Sequence, residues 1–307
     1  MKIFTIIVIY NGMHRDWIKK CFTSLQNSTF STTIVAIDNA SSDDSVNYIK
    51  KNYPNVILIE ADENLGFGKA NNLGIEYSLK KDADFIFLLN QDAWVETNTL
   101  EKLVVELEKN PLYGVVSPLH LSGDGKNLDV SFSKSISPQY CANLQSDLAL
   151  NHDINKLYEA NFICAAAWLI SKNCLREVGG FNPTFFHYGE DDNFVQRLHF
   201  KGLKIGVLPT CKIYHDRQER FTNKVFENSY YLDRNQYLLN VSNPNLTLTV
   251  NDVQNHLRIL LLKTYLNFDS KQTANIKKLI GFFKENSEDI NNNLKISKTH
   301  LFPFLKN

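Results

Sequence analysis

The chain contains no basic block, no apolar run approaching the roughly 20 residues that a membrane-spanning helix needs, and no cysteine pair spaced for zinc or a redox dithiol. Lysine plus arginine equals aspartate plus glutamate, 33 each, which argues against nucleic acid as a partner. The five cysteines (Cys21, Cys141, Cys164, Cys174, Cys211) are odd in number and scattered, the usage expected of reduced thiols in a cytoplasmic protein. Met1-Lys2 enters an apolar strand directly, without a small-residue cleavage site, so no signal peptide is expected. There is no solenoid-type repeat and no low-complexity tract. A length of 307 residues suits one large domain or a domain with an appendage.

What is present is an alternation of strand and helix patterns. Ile3 to Tyr10 is β-branched and apolar, Asn11-Gly12 breaks it, and Trp17, Cys21, Phe22 and Leu25 recur at helical spacing. Further strands are expected at 33–37, 56–60, 84–89 and 113–117, with helices at 46–52, 69–80 and 97–109 between them. Repeated units of this kind predict an α/β fold with a doubly wound, mostly parallel sheet. Residues 119–157 lose the periodicity and read as a long surface excursion on the substrate side. Amphipathic helices are expected at 221–241, 252–266 and 273–284. The last sets Ile276, Leu279, Ile280, Phe282 and Phe283 against Lys277, Lys278 and Lys284, a face suited to packing on the main domain or to a membrane surface.

Four clusters and one histidine carry candidate chemistry. Phe85 to Leu89 runs without alternation into Asn90, Gln91 and Asp92, a strand buried on both faces that ends in polar groups. Ligands of open α/β sheets sit beyond the strands' carboxyl ends, so Asp92 can hold a divalent cation against a phosphate or simply cap a turn. Asp38-Asn39 ends the second strand; a carboxylate there accepts from a base with an imino N–H, or forms an Asx-turn. Asn64 to Gly74 gathers three glycines and three asparagines around a helix start, where free amides attract phosphate. Its spacing and its place in the third unit do not match a dinucleotide fingerprint. Glu190, Asp191 and Asp192 open a helix whose dipole favours anions, and such a carboxylate can serve as general base. His215, after the apolar pair Ile213-Tyr214, is either an ordinary core histidine or a ligand for a manganese-type cation beside Asp92.

In order, IIVIYNG, IDNASSDDS, NLGFGKANNLGI, LLNQDAWV, GGFNPTFFHYGEDDNFVQRLHFKGLKI and IYH resemble a family 2 glycosyltransferase with the GT-A fold, in its rhamnosyltransferase-like branch. The resemblance covers about residues 3–240. It implies a Rossmann-like sheet flanked by helices over 1–240, with a nucleotide-binding half at 1–118 and an acceptor-side half at 119–240, and a C-terminal helical appendage at 241–307. It places Tyr10, Asn11, Asp38, Asn39, Asn64, Gly66, Phe67, Asn72 and Asn90 on the nucleotide side, and Asp92 with His215 on Mg²⁺ or Mn²⁺. Asp191, with Glu190 beside it, takes the position of the catalytic base.

Two departures stand out. Asn90 replaces the first acid of the family's metal motif, and Asn193 stands where the branch carries a last acid, which leaves Asp191 and Asp192 as alternatives for the base. The implied reaction moves a sugar, with inversion, from a UDP, dTDP or GDP donor to a glycan or lipid-linked acceptor in bacterial surface polysaccharide synthesis. The implied location is cytoplasmic, with peripheral contact at the inner face of the membrane left open. A sugar nucleotidyltransferase and a non-catalytic nucleotide-sugar-binding module remain as alternatives. A nicotinamide oxidoreductase is disfavoured, because no glycine fingerprint follows the first strand.

Overall fold

The structure, a computed structural model, describes residues 1–217 and 228–306. Strands β1 (Ile3–Ile9), β2 (Thr33–Asp38), β3 (Ile57–Glu60) and β4 (Phe85–Leu89) form a parallel block in the order β3-β2-β1-β4. Helices α1 (Trp17–Gln26), α2 (Ser45–Asn52) and α3 (Gly66–Leu79) connect these strands. Beyond β4 the sheet continues through the antiparallel β8 (Ala167–Ser171) to β6 (Tyr113–Ser122), β9 (Lys204–His215) and β5 (Ala93–Val95), with β7 (Tyr158–Ala160) also on β9. Among the described residues β5, β7 and β8 run against the other six strands, so parallel strands dominate.

Strand residues alternate between two cores, as the period of two requires. Phe4 and Ile6 of β1, with Ile86 and Leu88 of β4, face α3, α7 (Lys172–Val178) and α8 (Glu190–Phe200). Ile3, Ile7 and Ile9, with Phe87 and Leu89, face α1, α2 and α4 (Thr99–Lys109). Burial on both faces explains the unbroken apolar runs of β1 and β4.

The expected surface excursion at 119–157 is corrected by the structure. Leu119 to Ser122 extend β6 in register with Lys212 to His215, and α5 (Val130–Ser135) and α6 (Leu144–Ala149) follow. Phe132, Ile136, Cys141 and Leu144 are buried in the first core. Their apolar positions are too few and too widely spaced to show a period, yet all four are buried. Helix α3 begins at Gly66, three residues before the expected start, so the glycine-rich stretch is its first turn.

Helices α9 (Ser229–Val241), α10 (Val250–Leu266), α11 (Ser270–Glu285) and α12 (Ser287–Thr299) build a third core that also takes in Phe185. The expected helix at 221–241 is seen from Ser229; its earlier residues to 227 lie outside the described residues. Within the expected helical appendage at 241–307, no sequence pattern marks α12 individually, since its polar sequence buries only Ile290 and Ser297. The chain then returns to α7 and the turn after it: Gly180 N donates to Pro303 O at 2.9 Å and Phe302 N to Arg176 O at 2.7 Å. A Cβ on Gly179, at φ +77°, would lie 1.9 Å from Pro303 O, so only glycine admits this tail. Among the described residues no helix is long and apolar enough to cross a membrane.

Candidate active site

The crevice beyond the carboxyl ends of β1, β2 and β4 is framed by reciprocal amide bonds. Gln91 clamps the end of β1, accepting from Tyr10 N and donating to Tyr10 O, both at 3.0 Å. Asn11, at φ 49°, accepts from Ser42 N at 2.8 Å and its own N–H donates to Ser41 Oγ at 3.0 Å. Asn39 joins β2 to the start of α3, donating to Asn64 Oδ1 at 3.0 Å and accepting from Leu65 N at 2.8 Å. Asn72 accepts from Phe181 N at 2.7 Å and donates to Phe181 O at 2.8 Å. Thus Asn11, Asn39, Asn64 and Asn72, expected against the nucleotide, each engage the side-chain oxygen in a bond within the protein. Gly66 likewise faces protein: at φ +76°, its Cβ position lies 2.1 Å from Phe186 O. Phe67 meets Phe181 edge-on, with ring centroids 5.8 Å apart.

Tyr10 is half exposed. Asp38 is buried with Oδ2 accepting from Ser41 N at 3.2 Å, while Oδ1 has no partner among the described residues, an orphaned acceptor at the strand end where a nucleotide would lie.

The second cluster follows from the β5–β9 register, which sets Ala93 against His215 and brings Asp92 alongside. His215 Nε2 lies 3.5 Å from Asp92 Oδ1 and 3.3 Å from Asn90 Nδ2, and all but Asn90 is fully buried. A carboxylate and an imidazole converging in this way are donor types that suit a Mg²⁺- or Mn²⁺-type cation. Among the described residues no group of three or more His, Cys, Asp or Glu forms a complete site alone.

Sequence reasoning missed Asp129. Its Oδ1 caps α5, accepting from Ser131 N and Phe132 N at 2.9 and 2.8 Å, and its Oδ2 lies 3.2 Å from His215 Nδ1. Burial opposes ionisation of Asp129, but the His215 contact and the Phe132 amide outweigh it and hold the carboxyl well below its usual range. Burial, then the neighbouring His215, pushes the His120 imidazole down to about 3, so that ring is neutral. No sequence signal marks Asp129 as more than a helix cap.

The third cluster opens α8. Asp191 Oδ2 accepts from Ala165 N at 3.4 Å and its Oδ1 from Asp192 N at 3.0 Å. The next carbonyl, Ala166 O, accepts from Asn90 N at 2.9 Å, so one residue of backbone separates the contacts of Asp191 and Asn90. Burial raises all three acids. Glu190, whose Oε2 has no partner among the described residues, is pushed up to about 8 by burial and then by Asp191; Asp192 reaches about 7 for the same reasons. Asp191 is also raised by burial, against the Ala165 and Asp192 amides and the nearby Arg217 guanidinium. Asn193, where the branch carries an acid, is a brace within the fold. It donates to Ser242 O at 3.1 Å and accepts from the buried Arg197 Nε at 3.1 Å. Arg197 in turn donates to Val178 O and Gly180 O, holding the glycine turn ahead of the acids.

Residues 5–179 match the family described as glycosyl transferase family 2. The chain belongs to glycosyl transferase family 2. Residues 150–220 of this glycosyltransferase also match a family described as the N-terminal domain of galactosyltransferase. Among its relatives is the low-salt glycan biosynthesis hexosyltransferase Agl10 of Haloferax volcanii, 25% identical over 76% of this chain and 74% of that protein. Another is the dTDP-rhamnosyl transferase RfbF of Shigella flexneri, 23% identical over 69% of this chain and 68% of that protein. The glycosyltransferase also shares its fold with S. aureus TarS 1-349, crystallised with UDP-GlcNAc (TM-score 0.53, 15% identity, 97% of this chain and 87% of that one).

Proposed function

We propose that this glycosyltransferase moves a sugar from a nucleoside diphosphate donor to a hydroxyl of a glycan or lipid-linked acceptor, with inversion at the anomeric carbon, in surface polysaccharide synthesis. The observation that carries the reading is the pair of contacts through Ala165 and Ala166, which holds Asp191 one residue of backbone away from Asn90. This link between base and phosphate-side segments supports a direct displacement, which needs both groups at one substrate. Asp191 takes the proton from the acceptor hydroxyl while the new bond to the anomeric carbon forms and the bond to the departing diphosphate breaks. Asp38 Oδ1 accepts from the imino N–H of the base, which favours uracil, thymine or guanine nucleotides. Asp92 and His215 would hold Mg²⁺ or Mn²⁺, which supplies neutralisation of the diphosphate charge. Relatives named as hexosyl- and dTDP-rhamnosyl transferases, and a structural neighbour crystallised with UDP-GlcNAc, support a nucleotide-sugar donor.

The test is a thermal-shift panel of UDP, dTDP, GDP, CDP and NAD⁺ with and without Mn²⁺. One diphosphate should raise Tm in a metal-dependent manner, since a ligand at 100 times its Kd stabilises by about 2.7 kcal/mol. The shift should vanish in Asp38→Ala and Asp92→Ala. No response to any diphosphate, or a response to NAD⁺ alone, would overturn the reading.

A further inference from the structure

Helix α10 is apolar on two opposite faces. Val250, Val253, Leu257 and Thr264 are buried, packing inward with α9 and α11. Half a turn round, Ile259, Leu262 and Leu266 recur at i, i+3 and i+7, with 55%, 64% and 78% of their surface exposed. Phe268, in the turn to α11, is 93% exposed. The face of α11 that the sequence suited either to packing or to a membrane surface is occupied: Ile276, Leu279 and Phe283 are buried in the helical core. The open apolar face therefore belongs to α10.

Its surroundings carry one sign of charge. From Val253 to Lys278 the chain has Arg258, Lys263, Lys271, Lys277 and Lys278 against one acid, Asp269, in a protein whose charges balance overall. Asp269 is engaged as the cap of α11, accepting from Gln272 N at 2.9 Å. By helical rotation Arg258 and Lys263 flank the apolar stripe on either side, and Lys277 lies over the Tyr265 ring at 5.4 Å.

We propose that the outer face of α10, with the Phe268 turn, docks on an anionic phospholipid surface. Ile259, Leu262, Leu266 and Phe268 enter the headgroup boundary, and Arg258, Lys263, Lys271 and Lys277 meet lipid phosphates. A second copy of this chain is a poorer occupant, because a two-fold contact sets Arg258 and Lys263 against like charges. The helical bundle also braces the strand of chain that leads to the acids: Phe185 lies in its core, and Asn235 Nδ2 donates to Tyr188 O at 3.2 Å, two residues before Glu190. Docking would hold the acceptor side near the bilayer; that purpose, though not the docking itself, rests on the transferase reading.

Co-sedimentation of the full chain with phosphatidylcholine vesicles, alone and mixed with phosphatidylglycerol, tests it. The protein should pellet with the anionic vesicles, and less as salt is raised. Leu262→Ser/Leu266→Ser/Phe268→Ser should lower partitioning by at least about tenfold with an unchanged melting curve. Lys263→Gln and Lys277→Gln should each lower it about fivefold. Wild-type protein that stays in the supernatant with anionic vesicles, or a triple variant that pellets equally well, would overturn the proposal. So would a dimer in solution that the triple variant converts to monomer. Vesicle binding is read without turnover and nucleotide shifts without vesicles, so failure of one leaves the other standing.

Discussion

Asp129 Oδ2 lies 3.2 Å from His215 Nδ1, with both side chains buried and the imidazole's other nitrogen turned toward Asp92. A carboxylate behind a histidine selects its tautomer and orients the ring. The β6–β9 register makes this meeting possible. Ser122 pairs with His215, and the chain then doubles back so that Asp129 N donates to His120 O at 3.0 Å.

Asp129→Asn keeps an oxygen to cap α5 but removes the charge from His215. Mn²⁺ affinity or turnover should fall roughly 10- to 100-fold with little change in Tm. Asp129→Ala should lose the cap as well, at about 1 kcal/mol. A Mn²⁺ titration of activity beside a thermal melt separates the two effects. Unaltered Mn²⁺ dependence in Asp129→Asn would remove His215 orientation from the account.

Asp191→Asn should lower kcat by about 10²- to 10⁴-fold while the thermal shift with the preferred diphosphate is retained. Wild-type turnover in that variant would move the base to Asp192, which shares the helix N-terminus and is itself raised to about 7.

Glu190 gives a pH dependence of stability. Its ordinary value of 4.5 is pushed up to about 8 in the fold, chiefly by burial and then by Asp191. Between those values the folded state holds a proton that the unfolded state has released, so the group's contribution to stability declines as pH rises through that window. Glu190→Gln, which has no proton to lose, should gain Tm relative to wild type as pH increases from 5 toward 8. Parallel Tm curves for the two proteins would show that Glu190 does not titrate in this range.

Gly66→Ala should be destabilising by about 1–3 kcal/mol from backbone strain alone, since φ there is +76°. The added methyl would also fall 2.1 Å from Phe186 O, so the segment bearing the acids must shift. Chemical denaturation and a nucleotide thermal shift, measured together, should both deteriorate; an unperturbed variant would mean that α3 and the Phe186 segment are not in contact.

Local pattern carried much of the fold and part of the site. Apolar runs and breakers placed β1 to β4 and α1 to α4 to within three residues, because a parallel sheet buried on both faces writes its strands as hydrophobic stretches. The polar residues that end those strands were legible for the same reason, and so was the acidic start of α8. Residues whose partners are distant in the chain were not. Asn72 looked like a ligand-facing amide and is bonded to Phe181, 109 positions away. Asn193 looked like a missing acid and anchors Arg197 and Ser242.

By itself, then, the sequence determined the α/β class, the family motifs in their order, and which side chains stand at the strand ends, since all of these follow from local period and composition. Tertiary structure alone decided that Asp129 stands behind His215, that Asp191 and Asn90 are joined through Ala165-Ala166, and that α10 rather than α11 leaves an apolar face open. Each depends on strand register or helix packing between segments far apart in the chain, where a shift of one residue would turn the side chains to the other face.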